Sequence, residues 1–149
     1  MEHQNSQGRF YDSDYVYLIT CNSQEKHPYF EEKILCDLWI EELKIVKILK
    51  KFELYGFCLN HDHFHLLLKP GKAVNISEIM RSFKTNFSRN CNRIMDSNNT
   101  FDFPSTLKAR SRDLAFIAEH EQFLSQTQKQ FLKKHPNPEF FFPKFKYQQ

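Results

Sequence analysis

Leu59-Asn60-His61-Asp62-His63-Phe64-His65-Leu66-Leu67-Leu68 is the stretch that decides how this chain folds. With a period of two, the run from His63 puts His63, His65 and Leu67 on one face of a strand and Phe64, Leu66 and Leu68 on the other. The apolar face belongs against a core. The two imidazoles point the same way, close enough to share one divalent ion. Taken alone, a His-x-His pair is equally well read as two rings that hydrogen-bond their neighbours and bind nothing. Residues 54–59 form a second β-like run just upstream, so Asn60-His61-Asp62 is expected to be a tight hairpin turn, with His61 in the turn rather than in the row of ligands. Pro70-Gly71 ends the second strand.

Working outward, Tyr15-Val16-Tyr17-Leu18-Ile19-Thr20-Cys21 is β-branched and aromatic and reads as a first strand. Over residues 31–51 apolar positions recur at helical spacing (Ile34, Leu35, Leu38, Trp39, Leu43, Val46, Leu49), and lysines gather at the end where the helix dipole favours them. Residues 75–95 repeat the pattern with Ile76, Ile79, Met80, Phe83, Phe87, Cys91 and Ile94; Asn75 is a fair N-cap, with Glu78 three residues on. Then come a polar linker over residues 96–112 and a third helix over 119–134 with Phe123, Leu124, Phe131 and Leu132 as its apolar side. In the proline-bounded tail that follows, Phe140-Phe141-Phe142 and Phe145 need something to bury against. The order strand, helix, strand, strand, helix predicts an α+β fold of the split β-α-β type, ferredoxin-like or RRM-like, with helices on one face of an antiparallel sheet. A fourth strand is missing from the expected set, so the domain reads as C-terminally incomplete. Residues 1–14 are expected to be a flexible arm and 15–149 one domain, with 15–95 its core and 96–149 a linker, helix and extended tail.

The 149 residues suit one compact domain, and only three glycines argue against a glycine-rich phosphate loop or dinucleotide crossover. Sixteen phenylalanines against one tryptophan supply large buried area with no polar atom to satisfy. The net charge of +3 is unevenly spread: between Lys69 and Met95 the only acid is Glu78, among Lys72, Arg81, Lys84, Arg89 and Arg93. A solvated helix face is the commoner reading of such a cluster; contact with a polyanion is the sharper one. Cys21, Cys36, Cys58 and Cys91 form no CxxC pair, and the last three sit in apolar patterns that suggest buried thiols in a reducing cytosol. With no signal-like start and no apolar run near ~20 residues, a cytoplasmic protein is expected.

The run through the histidines resembles the central motif of the HUH single-tyrosine transposases, above all the REP-associated tyrosine transposases. There a hairpin strand carries Met-Pro-Asn-His-hydrophobic-His-Leu-Leu. Asp62 takes the Asn place, Phe64 the bulky hydrophobic, and His63 and His65 the two ligands, while Asn60 and His61 stand where Met-Pro is usual. The resemblance extends to the first strand, the helix after it and the basic helix over residues 75–95.

It implies an enzyme that cuts and rejoins single-stranded or hairpin DNA. His63 and His65 would hold magnesium or manganese, and a tyrosine on a C-terminal helix would attack the phosphate to leave a phosphotyrosyl link. Arg81, Lys84, Arg89 and Arg93 would contact the DNA, with a homodimer as a further possible partner state. The nucleophile is where the match fails. Tyr11, Tyr15, Tyr17, Tyr29 and Tyr55 all precede the motif, and Tyr147 lies in the extended tail. The expectation is therefore a transposase truncated before its nucleophile, poorly soluble or prone to associate. The alternatives are a non-catalytic DNA-hairpin binder derived from one, and an unrelated metal hydrolase using His61, His63 and His65.

Overall fold

The computed structural model describes residues 14–101 and 111–147, which leaves the expected N-terminal arm (but for Asp14) and part of the linker outside the described residues. Three strands, β1 (Tyr17–Asn22), β2 (Glu53–Leu59) and β3 (His63–Lys69), form an antiparallel sheet in the order β1-β3-β2, so the histidine strand is central. Register fixes its neighbours: Asn22 faces His63, Thr20 faces His65 and Leu18 faces Leu67, while Cys58 lies across His65 from β2. Among the described residues no helix is long and apolar enough to cross a membrane.

Three helices, α1 (Lys33–Lys50), α2 (Ile76–Met95) and α3 (Ser111–Lys134), complete the fold. The Asn75 side chain accepts from the Glu78 N–H and caps α2. Glu32 caps α1 through the Ile34 N–H, and α1 ends on Lys51 in the left-handed region. The third helix starts eight residues before the expected Glu119, because Ser111 onward offers good helix formers and no breaker. Trp39 of α1 and Phe83 of α2 pack on Phe64 with ring centroids 5.1 and 5.8 Å apart, so these helices cover the Phe64-Leu66-Leu68 face of the sheet. The other face is open: Leu18 is 70 % exposed and Leu67 39 %. The third helix lies against α1 and α2, burying Leu124 and Phe131.

A buried polar network ties the helices together. The Glu42 carboxylate accepts from Asn90 Nδ2 at 2.7 Å and sits 3.0 Å from His120 Nε2. The Gln128 Nε2 amide lies within hydrogen-bond distance of the carbonyls of Arg93, in the last turn of α2, and of Asp96 and Asn99 just beyond it.

The tail finds its burial partners only in part. Phe145 is in the core, edge-on to Tyr29 and Phe87, whereas Phe140 and Phe141 stay exposed. Asn92 grips the Phe145 backbone from both sides: its Oδ1 accepts from the N–H at 2.6 Å and its Nδ2 donates to the C=O at 3.1 Å. One residue on, Gln24 N–H donates to Lys146 C=O, and Ser23 bridges to Tyr147 antiparallel beside the outer edge of β1. The Tyr147 ring packs on Phe64, Phe87 and Phe145, and its hydroxyl is buried near the Trp39 indole.

Candidate functional site

His63 and His65 project together from the open face of the sheet, with ring centroids 5.1 Å apart. Alternation puts them there, since Phe64 and Leu66 between and beside them are taken by the core. Each ring is held by a neighbour. His63 Nδ1–H donates to Asp62 Oδ1 at 2.7 Å, and His65 Nδ1 lies 2.8 Å from Thr20 Oγ1 across the register. Asn60 Nδ2 donates to His63 Nε2 at 3.1 Å, which marks Nε2 as the lone-pair nitrogen. The hydrogen bond from His63 holds the Asp62 carboxyl below its ordinary value, so it is a carboxylate at neutral pH. Carboxylate–imidazole pairing of this kind fixes the tautomer that a metal ligand needs.

The residues present therefore suit a cation through two ring nitrogens. Among the described residues no third His, Cys, Asp or Glu joins them into a three-donor group. His61 is exposed in the turn, its C=O accepting from the Phe30 N–H, and is not gathered with the other two. Water, a bound phosphate or groups outside the described residues would supply the hard oxygen donors such a cation needs.

Cys58, expected to be buried, is exposed on this same face, while Cys21 and Cys91 are buried, Cys36 is half-buried and all four are free thiols. A bulge explains it. Leu54 pairs with Leu68 and Gly56 with Leu67, so Tyr55 is an extra residue that reverses the alternation downstream and turns Cys58 outward.

The basic residues of α2 lie on a helix covering the other side of the sheet from the histidines. Arg81 is exposed beside Lys50, and Arg89 is exposed with its guanidinium on Asn86 Oδ1 at 3.2 Å. Lys84 stands over the Tyr147 ring at 5.8 Å. Arg93 is engaged within the fold: it makes a two-pronged pair with Glu121 at 3.3 and 3.2 Å and covers the Phe101 ring.

None of the described tyrosines stands beside the histidine pair. Tyr147 packs against Phe64, on the opposite face, and burial pushes its phenol well above the ordinary value. Tyr29 donates its hydroxyl to the Pro143 carbonyl, and burial raises it to about 12. Tyr55 donates to Glu53, and Tyr17 pairs across from Leu68 at the other end of the sheet. Thr20 and Asn60 are functional candidates that sequence reading missed, since Thr20 belongs to no motif and Asn60 stands at a motif position where the resembled family carries a different residue.

The family model for IS200-like transposases matches residues 11–103, well over half of the chain. Among solved structures the chain is similar to a REP-associated tyrosine transposase bound to a REP hairpin, at 18 % identity and a TM-score of 0.50, over 56 % of this chain and 50 % of that one. It thus spans half the length of that protein. It is also similar to a crystal structure of a candidate transposase from Deinococcus radiodurans R1, at 16 % identity and a TM-score of 0.49, over 78 % of this chain and 95 % of that one. No curated protein matches. At 18 % identity the first likeness speaks for the fold alone, and nothing is argued from the second.

Proposed function

This chain belongs to the IS200-like transposase family, and from that premise we propose a single-tyrosine HUH transposase that binds single-stranded or hairpin DNA and uses a divalent ion at His63 and His65. The observation that carries the reading is the pair of imidazoles on the open sheet face, each with its Nδ1 engaged by a neighbour and with His63 Nε2 marked as a lone-pair nitrogen by Asn60. Asp62 and Thr20 orient the rings, and Asn60 moves aside when a ligand arrives. A magnesium or manganese ion bound there supplies Lewis acidity to the scissile phosphate. The strand chemistry is a transesterification: a tyrosine oxygen bonds to phosphorus, the bond from phosphorus to the 3′ oxygen breaks, and a 5′-phosphotyrosine and a 3′ hydroxyl result. The nucleophile comes from outside the described residues, since no described tyrosine stands at the pair. Arg81, Lys84 and Arg89 serve the DNA backbone, and Arg93 serves the fold.

The placement of the tyrosines also favours a second reading, a DNA-hairpin binder that keeps the metal pair and makes no covalent link. Titration with manganese followed by incubation with a labelled hairpin DNA separates the two. The transposase reading expects manganese affinity to fall at least tenfold in His63→Ala/His65→Ala, and a covalent protein–DNA adduct in the parent chain would show that it carries its own nucleophile, against the truncation expected from the sequence. Binding without adduct favours the second reading. Unchanged manganese affinity in the double variant removes the metal site.

A further inference from the structure

The histidine pair and the basic helix lie on opposite faces of the sheet, so a DNA strand serving both must pass around an edge. The structure offers a positively charged route at one edge. Asn22 faces His63, the Ser23 N–H donates to the Asp62 carbonyl, and Gln24 is bonded to Lys146 of the tail. From there the tail runs back toward α2, held by the Asn92 grip on Phe145, and Lys84 stands over the ring of Tyr147.

Two hollows flank this tail. One is walled by Gln24, Lys84, Thr85, Ser88 and Lys146, the other by Lys26, His27, Lys144 and Lys146. Across both linings four ammonium groups meet one carboxylate, Glu25. Lys26, Lys144 and Lys146 are exposed, and the hydroxyls of Thr85 and Ser88 and the amide of Gln24 add neutral donors of the sort that position a phosphodiester. The backbone presenting Lys26 is fixed in an uncommon shape, with φ of 57° at Glu25 and 52° at Lys26. The Lys144 and Lys146 backbone is pinned on either side of the buried Phe145. The backbone that presents these charges is thus held in place.

We propose that the Lys26–Lys144–Lys146 strip, continuing to Lys84 on α2, is a phosphate-backbone track that carries a DNA strand between the histidine pair and the basic face of α2. It rests on the DNA-binding reading above and adds a route to it. Each backbone phosphate neutralised releases counterions, and for single strands contributes a slope of about −0.7 to the plot of log affinity against log salt.

The test is fluorescence anisotropy of a hairpin DNA bearing a single-stranded extension, across a salt series. In Lys26→Ala/Lys144→Ala/Lys146→Ala the affinity at low salt falls at least tenfold and the salt slope becomes shallower by about two. Its melting temperature stays unchanged, because the three side chains are exposed. Arginine at the same three positions restores both. The control Lys129→Ala/Lys133→Ala, at exposed lysines of α3, leaves the slope as it was. A triple alanine variant with the parental slope, or a control that loses as much per charge, overturns the track while the DNA-binding reading stands. No binding by the parent chain overturns both.

Discussion

At the residue scale, the candidate site depends on the atoms behind the histidines. Asp62 and Thr20 hold the Nδ1 atoms at 2.7 and 2.8 Å, and partners of this kind commonly contribute 10–100-fold in metal affinity. Asp62→Ala and Thr20→Val are each expected to weaken manganese binding by about that factor in calorimetry, with little change in melting temperature. Equal affinity in both variants would mean that the rings do not ligate through Nε2. The histidines themselves were legible in the sequence because strand alternation is a local property. Thr20 was not, because it meets His65 across a register between segments forty-five residues apart. Cys58 was misread for a related reason: the extra residue Tyr55 is a local feature, but only pairing with β3 reveals it.

At the scale of elements, the helices of the split β-α-β core stand close to where periodicity put them, and α2 carries the Asn75 cap expected of it. What periodicity could not supply is how α3 docks. Glu32 at the start of α1 takes Lys134 Nζ at 3.1 Å and His135 Nε2 at 2.7 Å from the end of α3, a contact spanning more than one hundred residues. Burial alone would raise the Glu32 carboxyl, but hydrogen bonds from His135, Lys134 and the Ile34 N–H more than offset it and hold it below its ordinary value. A carboxyl depressed in the folded state stabilises above its unfolded value, about 4.3 for Glu, and loses that contribution as pH falls through the folded one. Glu32→Gln should therefore melt lower than the parent at pH 6, by an amount matching about 1–3 kcal/mol. The gap should narrow on acidification below about pH 4. A gap independent of pH would show that Glu32 acts by packing alone.

At the scale of the whole molecule, one buried cluster runs from β1 through the helices to Phe145, which predicts a single cooperative melt. Among the described residues, helices cover one face of the sheet. Leu18 and Leu67 stand beside one another on the open face, and the outer edge of β1 is engaged near Ser23 by the tail. An exposed apolar face next to a strand edge favours association. Light scattering is expected to show concentration-dependent oligomers that Leu18→Ser/Leu67→Ser diminishes without lowering the melting temperature. A parent chain that stays monodisperse at high concentration would count against this. The separation of the histidine pair from the basic helix belongs to this scale too, and it follows from the packing of α1 and α2 on the Phe64 face.

The burial of the Tyr147 hydroxyl near the Trp39 indole makes the molecule its own reporter. Trp39 is the single tryptophan, fully buried, and its emission should be blue and narrow. Asn92→Ala removes both hydrogen bonds that hold the tail at Phe145. Release of the tail would let water reach the indole and move its emission to the red while the far-ultraviolet circular dichroism holds. A fluorimeter could then follow, in real time and without any label, whether a DNA strand lying along the tail lysines tightens or loosens the last segment of the chain.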